Sequence, residues 1–279
     1  MGPFNPAEYF WLIGLGFVVG LYGTFIGAGG GFIIMPLLLL LHPTASPEQL
    51  TAISLAVVFF NALAGSESYA MMGRIDYKSG LMFAAATIPG AIFGALNTSA
   101  VPRRLFDGIF GVVLLAAAVF LFLRPSAKPH ETRSHLHHPD ISRHLVSAGG
   151  ETFDYDFNPL VGIGISFAVG YASSFLGIGG GIIHVPALIY FLDFPVHIAT
   201  ATSHFILAVM ALTGTLVHIW TGSFHDGAPH TLSLSIGVLL GAPIGAYLSN
   251  RIQGYWIIRS LSLALGLVGI RILILLFQH

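Results

Sequence analysis

The chain contains no cysteine among its 279 residues. Disulfides, thiolate metal ligands and a thiol nucleophile are therefore excluded. Charge is also scarce. Asp, Glu, Lys and Arg make up 8 % of the residues, against about 25 % in soluble domains. So few charges cannot cover a water-facing surface. The net charge of −1 supplies no basic face, so no nucleic-acid partner is expected. No G-x-x-x-x-G-K-[ST] stretch occurs, which removes nucleotide hydrolysis by that route as an energy source. The opening "MGPFNPAEYFW" lacks a basic n-region, so no cleaved signal peptide is expected. Its Tyr9 and Trp11 fit interfacial anchors at a first membrane entry.

What the chain has in quantity is apolar surface and glycine: 55 % hydrophobic residues and 34 glycines. Apolar runs fall at 8–27, 30–42, 49–72, 79–97 and 104–123, and again at 160–177, 180–192, 198–220, 231–250 and 256–277. Most have the length of about 20 residues that crosses a bilayer. The expected location is the inner membrane, multi-pass, with the lipid bilayer as a partner.

The two sets of runs are copies. "GTFIGAGGGFIIMP" (23–36) returns as "SSFLGIGGGIIHVP" (173–186). Thr51-Ala52-Ile53-Ser54 returns as Thr200-Ala201-Thr202-Ser203, Gly65 as Gly214, and the Pro89 element as that of Pro243. Such a repeat takes precedence in any reading of the fold. It divides the chain into a first membrane repeat at 1–123, a polar His-rich linker at 124–158 and a second repeat at 159–279. An odd number of crossings per half makes the second half enter from the opposite side. With the N-terminus outside, Arg74, Lys78, Arg124, Lys128, Arg133, Arg143, Arg251 and Arg259 lie inside, and Arg103, Arg104 and Arg271 outside. Eight against three agrees with the positive-inside rule. The expected fold is all-α: an integral membrane protein of two inverted repeats of about five hydrophobic segments, each with a Gly-broken helix near the midplane. The second segment of each half is short enough to be re-entrant.

A glycine in a helix interior costs about 1 kcal/mol against alanine. Consecutive glycines wrap around a helix rather than lining one face, although small residues also serve close helix packing. Gly27, Gly29, Gly30 and Gly31, with Gly177, Gly179, Gly180 and Gly181, therefore read as breaks. Non-helical backbone at membrane depth is tolerated only inside protein or beside a water-filled cavity, so a cavity is expected. Short helices beginning near Gly31 and Gly181 would turn unpaired amides toward it, an anion site without a lysine.

With "GAGGGFIIMP" and "GIGGGIIHVP" each early in a hydrophobic half, the chain resembles the TauE/SafE-type sulfite exporter and sulfonate permease family over nearly its whole length outside the linker. The resemblance implies a secondary transporter of small sulfur-containing anions, sulfite or an organosulfonate such as sulfoacetate, often moving them outward, with some members importing instead. Alternating access, with no enzymatic step and no cofactor, is the expected mechanism, with a coupling proton or sodium ion.

Intramembrane polar groups are costly and default to functional readings. Thr24 and Ser174 precede the breaks at matched positions, Ser54 and Ser203 match in the third segments, and Asn61 lies deep in its segment. All five are candidate substrate ligands, or else bond a neighbouring carbonyl. His184 and His204 replace Ile34 and Leu55 of the first half. They are candidates for anion binding or proton coupling, or buried neutral histidines. His218 reads as interfacial, Glu67 as headgroup-level, and Arg103, Arg104 and Arg259 as membrane-edge anchors. His130, His135, His137, His138 and His144 crowd the linker. They support an alternative, a divalent-metal permease using that loop, but show no closed four-ligand spacing, so no metal site is assigned. Ser203 and His204 are adjacent and point about 100° apart on a helix, so they form no hydrolase dyad.

Overall fold

A computed structural model describes residues 6–42, 45–123, 141–224, 228–251 and 254–276. The first half holds α1 (Pro6–Ile26), α2 (Gly31–Leu41), α3 (Pro47–Met71), α4 (Tyr77–Thr98) and α5 (Arg103–Leu123). The second holds α6 (Pro159–Leu176), α7 (Gly181–Phe191), α8 (Val196–Trp220), α9 (Ala228–Arg251) and α10 (Gly254–Leu276). Between them lie two antiparallel strands, β1 (Ile141–Val146) and β2 (Thr152–Phe157). This is an all-α membrane protein with a small hairpin added. α1, α3, α4, α6, α8 and α9 are each long and apolar enough to cross a bilayer.

Burial follows the logic of a lipid solvent. Large apolar side chains such as Phe10, Leu81, Phe93, Leu160, Leu216 and Leu240 are exposed. Thr24, Ser54, Asn61, Ser174, Ser203 and His204 are 0–1 % exposed. Where the outside is hydrocarbon, polar groups have nowhere better to go than the protein interior.

Glycine lets the long helices touch backbone to backbone. α1 runs parallel to α9: a Cβ at Gly16 would lie 2.3 Å from the Leu234 carbonyl oxygen, and one at Gly241 2.1 Å from that of Phe17. α6 runs parallel to α4, with a Cβ at Gly90 2.2 Å from the Phe167 oxygen and one at Gly94 2.3 Å from the Tyr171 oxygen. Corresponding elements pair head to tail. α3 crosses α8 antiparallel, Gly65 meeting His204 and Gly214 meeting Leu55. α5 and α10 do likewise, Gly111 meeting Leu273 and Gly269 meeting Leu115.

The glycine clusters do not interrupt a helix that then resumes its direction. They reverse it. Gly30 packs on Val19, and α2 runs back along α1, where Ile34, Leu38 and Leu41 line one groove with Leu15, Leu12 and Trp11. α7 folds back on α6 in the same way: Gly180 faces Val169, His184 bonds Ser166, and Leu192 reaches Gly162. Left-handed backbone makes the turn, with φ of 86°, 77° and 76° at Gly27, Gly29 and Gly30, and 68° and 71° at Gly177 and Gly179. A side chain at such φ is strained, which is why glycine stands there.

The linker is not a featureless polar loop. Its histidines 130–138 lie outside the described residues, but from 141 to 157 it forms the hairpin. β2 turns Phe153, Tyr155 and Phe157 inward and leaves Thr152, Asp154 and Asp156 exposed. Tyr155 and Phe157 pack on Phe194 after α7, at ring separations of 4.5 and 5.2 Å. The Asp76 carboxylate, at the start of α4, accepts from Tyr155 Oη at 2.8 Å and from Ser79, and faces Arg143 Nε at 3.3 Å. Burial, then the adjacent Asp76 charge, raises the Tyr155 phenol above the ordinary tyrosine range. It therefore stays protonated as the donor.

Candidate functional site

The two helix hairpins meet tip to tip at the centre. Val58 and Leu207 are each the twelfth residue of a 25-residue helix, α3 and α8, and both touch Gly29 and Gly179. Across the seam, a Cβ at Gly31 would lie 2.4 Å from the Ile178 oxygen, and one at Gly181 2.2 Å from the Gly27 oxygen. The short helices α2 and α7 thus begin midway along the crossing helices and point their N-termini inward.

Their starts differ from those of α3, α4 and α6, although α8, which follows Pro195, also lacks a side-chain cap. α3 begins with a capping box from Ser46 and Gln49, α4 with an Asp76 cap and α6 with an Asn158 cap. α2 and α7 begin at Gly30 and Gly180, with no side-chain cap. Backbone bonding resumes only where Ile33 and Ile34 donate to Gly30, and Ile183 and His184 to Gly180. The amides of Gly31, Phe32, Gly181 and Ile182 are left without an acceptor. Four unpaired donors and two helix dipoles of the same sign therefore converge on one place. At the far end of α2, Arg103 donates to the Leu39 and Ala45 carbonyls, both at 2.8 Å, while holding Asp107. It closes the C-terminus of α2 rather than anchoring in headgroups. Arg259 stacks 5.1 Å over Phe122.

The side chains flagged from sequence fall into three groups. Thr24 donates to Asn61 Oδ1 at 3.0 Å and lies 3.3 Å from His204 Nε2, and the Tyr69 hydroxyl donates to the Thr24 carbonyl at 2.8 Å. Ser54 donates to the Gly177 carbonyl at 2.5 Å and so straps α3 to the second tip. Ser203 and His184 line a void with Gly180, Gly181 and Thr87. Ser174 packs against Gly214. Among the described buried groups, Ser174 Oγ, Ser203 Oγ, Asn61 Nδ2, His184 Nδ1 and His204 Nδ1 have no hydrogen-bond partner.

Several expectations need correction. At the second tip the described residues enclose no open water-filled cavity. The void at the second tip is too tight for a water molecule, because the glycines bring opposing backbone into contact. Roomier spaces are lateral: about 420 Å³, apolar, between α5 and α7 beside Val113, Phe120, Ile183 and Phe191, and about 540 Å³ between α3 and α9. His218, in the last turn of α8, is fully buried within the protein. Glu67 is exposed and lines a groove between α3 and α9. Among the described residues no group of three or more His, Asp or Glu side chains could hold a metal. His144 pairs with Asp154 across the strands at 2.5 Å.

Residues that sequence reading passed over join the site. Ser166 holds His184, Ser173 lies 3.3 Å from the Cβ position of Gly180, and Thr87 lines the void. The repeat itself carried the signal for Ser173, which stands where the first half has Gly23.

Relatives agree with this architecture. YunE of Bacillus subtilis, named a probable membrane transporter protein, is 31 % identical, over 94 % of this chain and 96 % of its own. A probable membrane transporter protein of Methanocaldococcus jannaschii is 25 % identical over 94 % of both chains. YdhB of Bacillus subtilis, with the same description, is 27 % identical over 84 % of this chain and 87 % of its own. No solved structure matches the chain. The sulfite exporter TauE/SafE family description matches residues 12–272, and the chain belongs to that family of multi-pass membrane transporters.

Proposed function

We propose that the protein is a secondary transporter that carries small sulfur oxyanions, sulfite or an organosulfonate such as sulfoacetate, outward across the membrane. The observation that carries this reading is the convergence of two uncapped helix N-termini at the centre of the molecule. Amides and hydroxyls there have no acceptor, and no carboxylate stands among them. Such a donor set matches a pyramidal or tetrahedral oxyanion and opposes a divalent cation, which needs hard anionic oxygens. The family description points to the same substrate class.

Access is proposed to alternate between the two faces by separation of the hairpin tips. Two pairs of corresponding helices, α3 with α8 and α5 with α10, run antiparallel, as in inverted repeats, and such repeats around a central site are a recurrent carrier architecture. The protein as described is closed at the seam, an occluded conformation. Of the residues flagged from sequence, Gly180, Gly181, Ser203 and His184 are proposed to face the anion. Thr24, Asn61, Ser174 and His204 form its surroundings, and His204 is the proposed route for a coupling proton.

Proteoliposomes loaded with ³⁵S-sulfite test this. Saturable efflux that competes with sulfoacetate, and that persists after deletion of residues 130–138, is expected. Zn²⁺ or Mn²⁺ flux without sulfite flux would establish the metal-permease reading instead.

A further inference from the structure

The repeat suggests two equivalent half-sites, yet the two tips are not equally free to bind. Ser54, on α3, has its hydroxyl committed to a carbonyl, that of Gly177, and at the first tip Asn61 Oδ1 accepts from Thr24. The position matching His184 is Ile34, fully buried and apolar. Gly23 presses on Gly30, where a Cβ would lie 2.4 Å from the Gly30 nitrogen. Backbone fills that side.

At the second tip the same positions hold donors without partners. Ser203, the counterpart of Ser54, is 1 % exposed and its Oγ bonds nothing. His184 is 2 % exposed, and its Nδ1 has no partner. Ser173, the counterpart of Gly23, is also buried, and its hydroxyl has no partner. Ser203, His184, Gly180 and Gly181 surround one void, and Ser173 Oγ lies beside Gly180. Buried polar atoms without partners are rare in native proteins, and three of them beside one uncapped helix start require a common explanation.

We infer that the protein has a single oxyanion site, at the N-terminus of α7. It is built from the Gly181 and Ile182 amides with Ser203 Oγ, Ser173 Oγ and His184 Nδ1. The first tip is its structural counterpart and not a second site. Ser166 is a positioning residue. Its hydroxyl lies 3.1 Å from His184 Nε2; donating there, it leaves the ring proton on Nδ1, which faces the anion as a donor. The donors suit an ion with three oxygens on one centre. Withdrawal of the first tip, whose Gly27 carbonyl lies against Gly181, makes room for it. The assignment rests on the oxyanion-transport reading above.

The test is ³⁵S-sulfite transport and equilibrium binding by the full-length protein, with sulfoacetate as a second probe. Wild type is expected to bind one sulfite per chain. Losing one hydrogen bond to a charged ligand predicts KM raised about 10- to 100-fold in Ser203→Ala and in His184→Ala. Ser166→Ala is expected to raise KM with little change in kcat, and Ser166→Thr to restore it, an effect that loss of packing alone does not give. Melting temperature without ligand identifies any variant that merely misfolds, and Ser173→Ala then serves as a further probe of the same site. Wild-type KM in both Ser203→Ala and His184→Ala, or two sulfites bound per chain, overturns the single site while leaving transport intact. A wild-type protein that moves neither sulfite nor sulfoacetate removes the transport reading itself.

Discussion

The two glycine-lined tips share a sequence pattern and differ in use. The first is held shut by contacts made within the protein: Gly30 at φ 76° against Val19, Gly23 against Gly30, and Thr24 on Asn61. The second begins its short helix at Gly180 with φ −57°, an ordinary right-handed value, and leaves its hydroxyls free. Duplication supplied two equal frames. Divergence at Gly23/Ser173 and Ile34/His184 made one of them tightly packed and the other receptive. A repeat therefore fixes geometry, and the departures from it indicate where a ligand goes.

The largest effect is expected at the seam. Gly181→Leu and Gly31→Leu place a branched side chain where a carbonyl oxygen stands 2.2 and 2.4 Å from the Cβ position. Both should abolish transport and reduce the yield of folded protein, measured by gel filtration and ³⁵S-sulfite flux. Gly30→Ala against Gly180→Ala sharpens the comparison. The first meets both a left-handed φ and a contact at 2.5 Å; the second has its nearest atoms at 3.1 Å and no positive φ. A stability difference of about 1–3 kcal/mol is expected, read as a much lower melting temperature for Gly30→Ala. Equal losses would erase the asymmetry.

Ser54→Ala comes next. It leaves the buried Gly177 carbonyl without its donor, a cost of about 1–3 kcal/mol, visible in thermal melts. The smallest effect belongs to the hairpin. Tyr155→Phe removes one hydrogen bond to Asp76 and should cost about 1 kcal/mol, read as faster amide exchange across 141–157. The sign of its pH dependence is fixed. The folded phenol titrates above the unfolded one, so its contribution is complete below about pH 10, the unfolded value. It is lost as pH rises past that point. Exchange protection that already falls between pH 6 and 8 would contradict it.

Much of the fold could be read directly from the chain. Each of the ten apolar runs lies within three residues of a helix, and the starts of α2 and α7 fall at Gly31 and Gly181 as the glycines implied. What composition could not convey was direction. A glycine break says that a helix stops, not whether the next continues or reverses; that depends on Gly30 packing back on Val19. Nor could it separate glycines that expose backbone from those that press it against a neighbour, since both lack a side chain for opposite reasons. The hairpin is legible: "ISRHLV" and "TFDYDF" around "SAGGE" alternate with period two, although the histidines before them suggest a polar loop. Ser166 and Thr87 carried no pattern, because their roles arise from contacts with residues 18 or more positions away or with other helices.

The central claim, that helix-start amides grip an anion at mid-membrane, is tested most directly with selenite, a heavier mimic of sulfite. Crystals grown with selenite and measured at the selenium edge should show one anomalous peak between α7 and α8, within hydrogen-bonding reach of the Gly181 amide and Ser203 Oγ. A protein that transports sulfite yet shows its only selenium peak at the linker histidines, or in the lateral groove beside α5, would contradict the account.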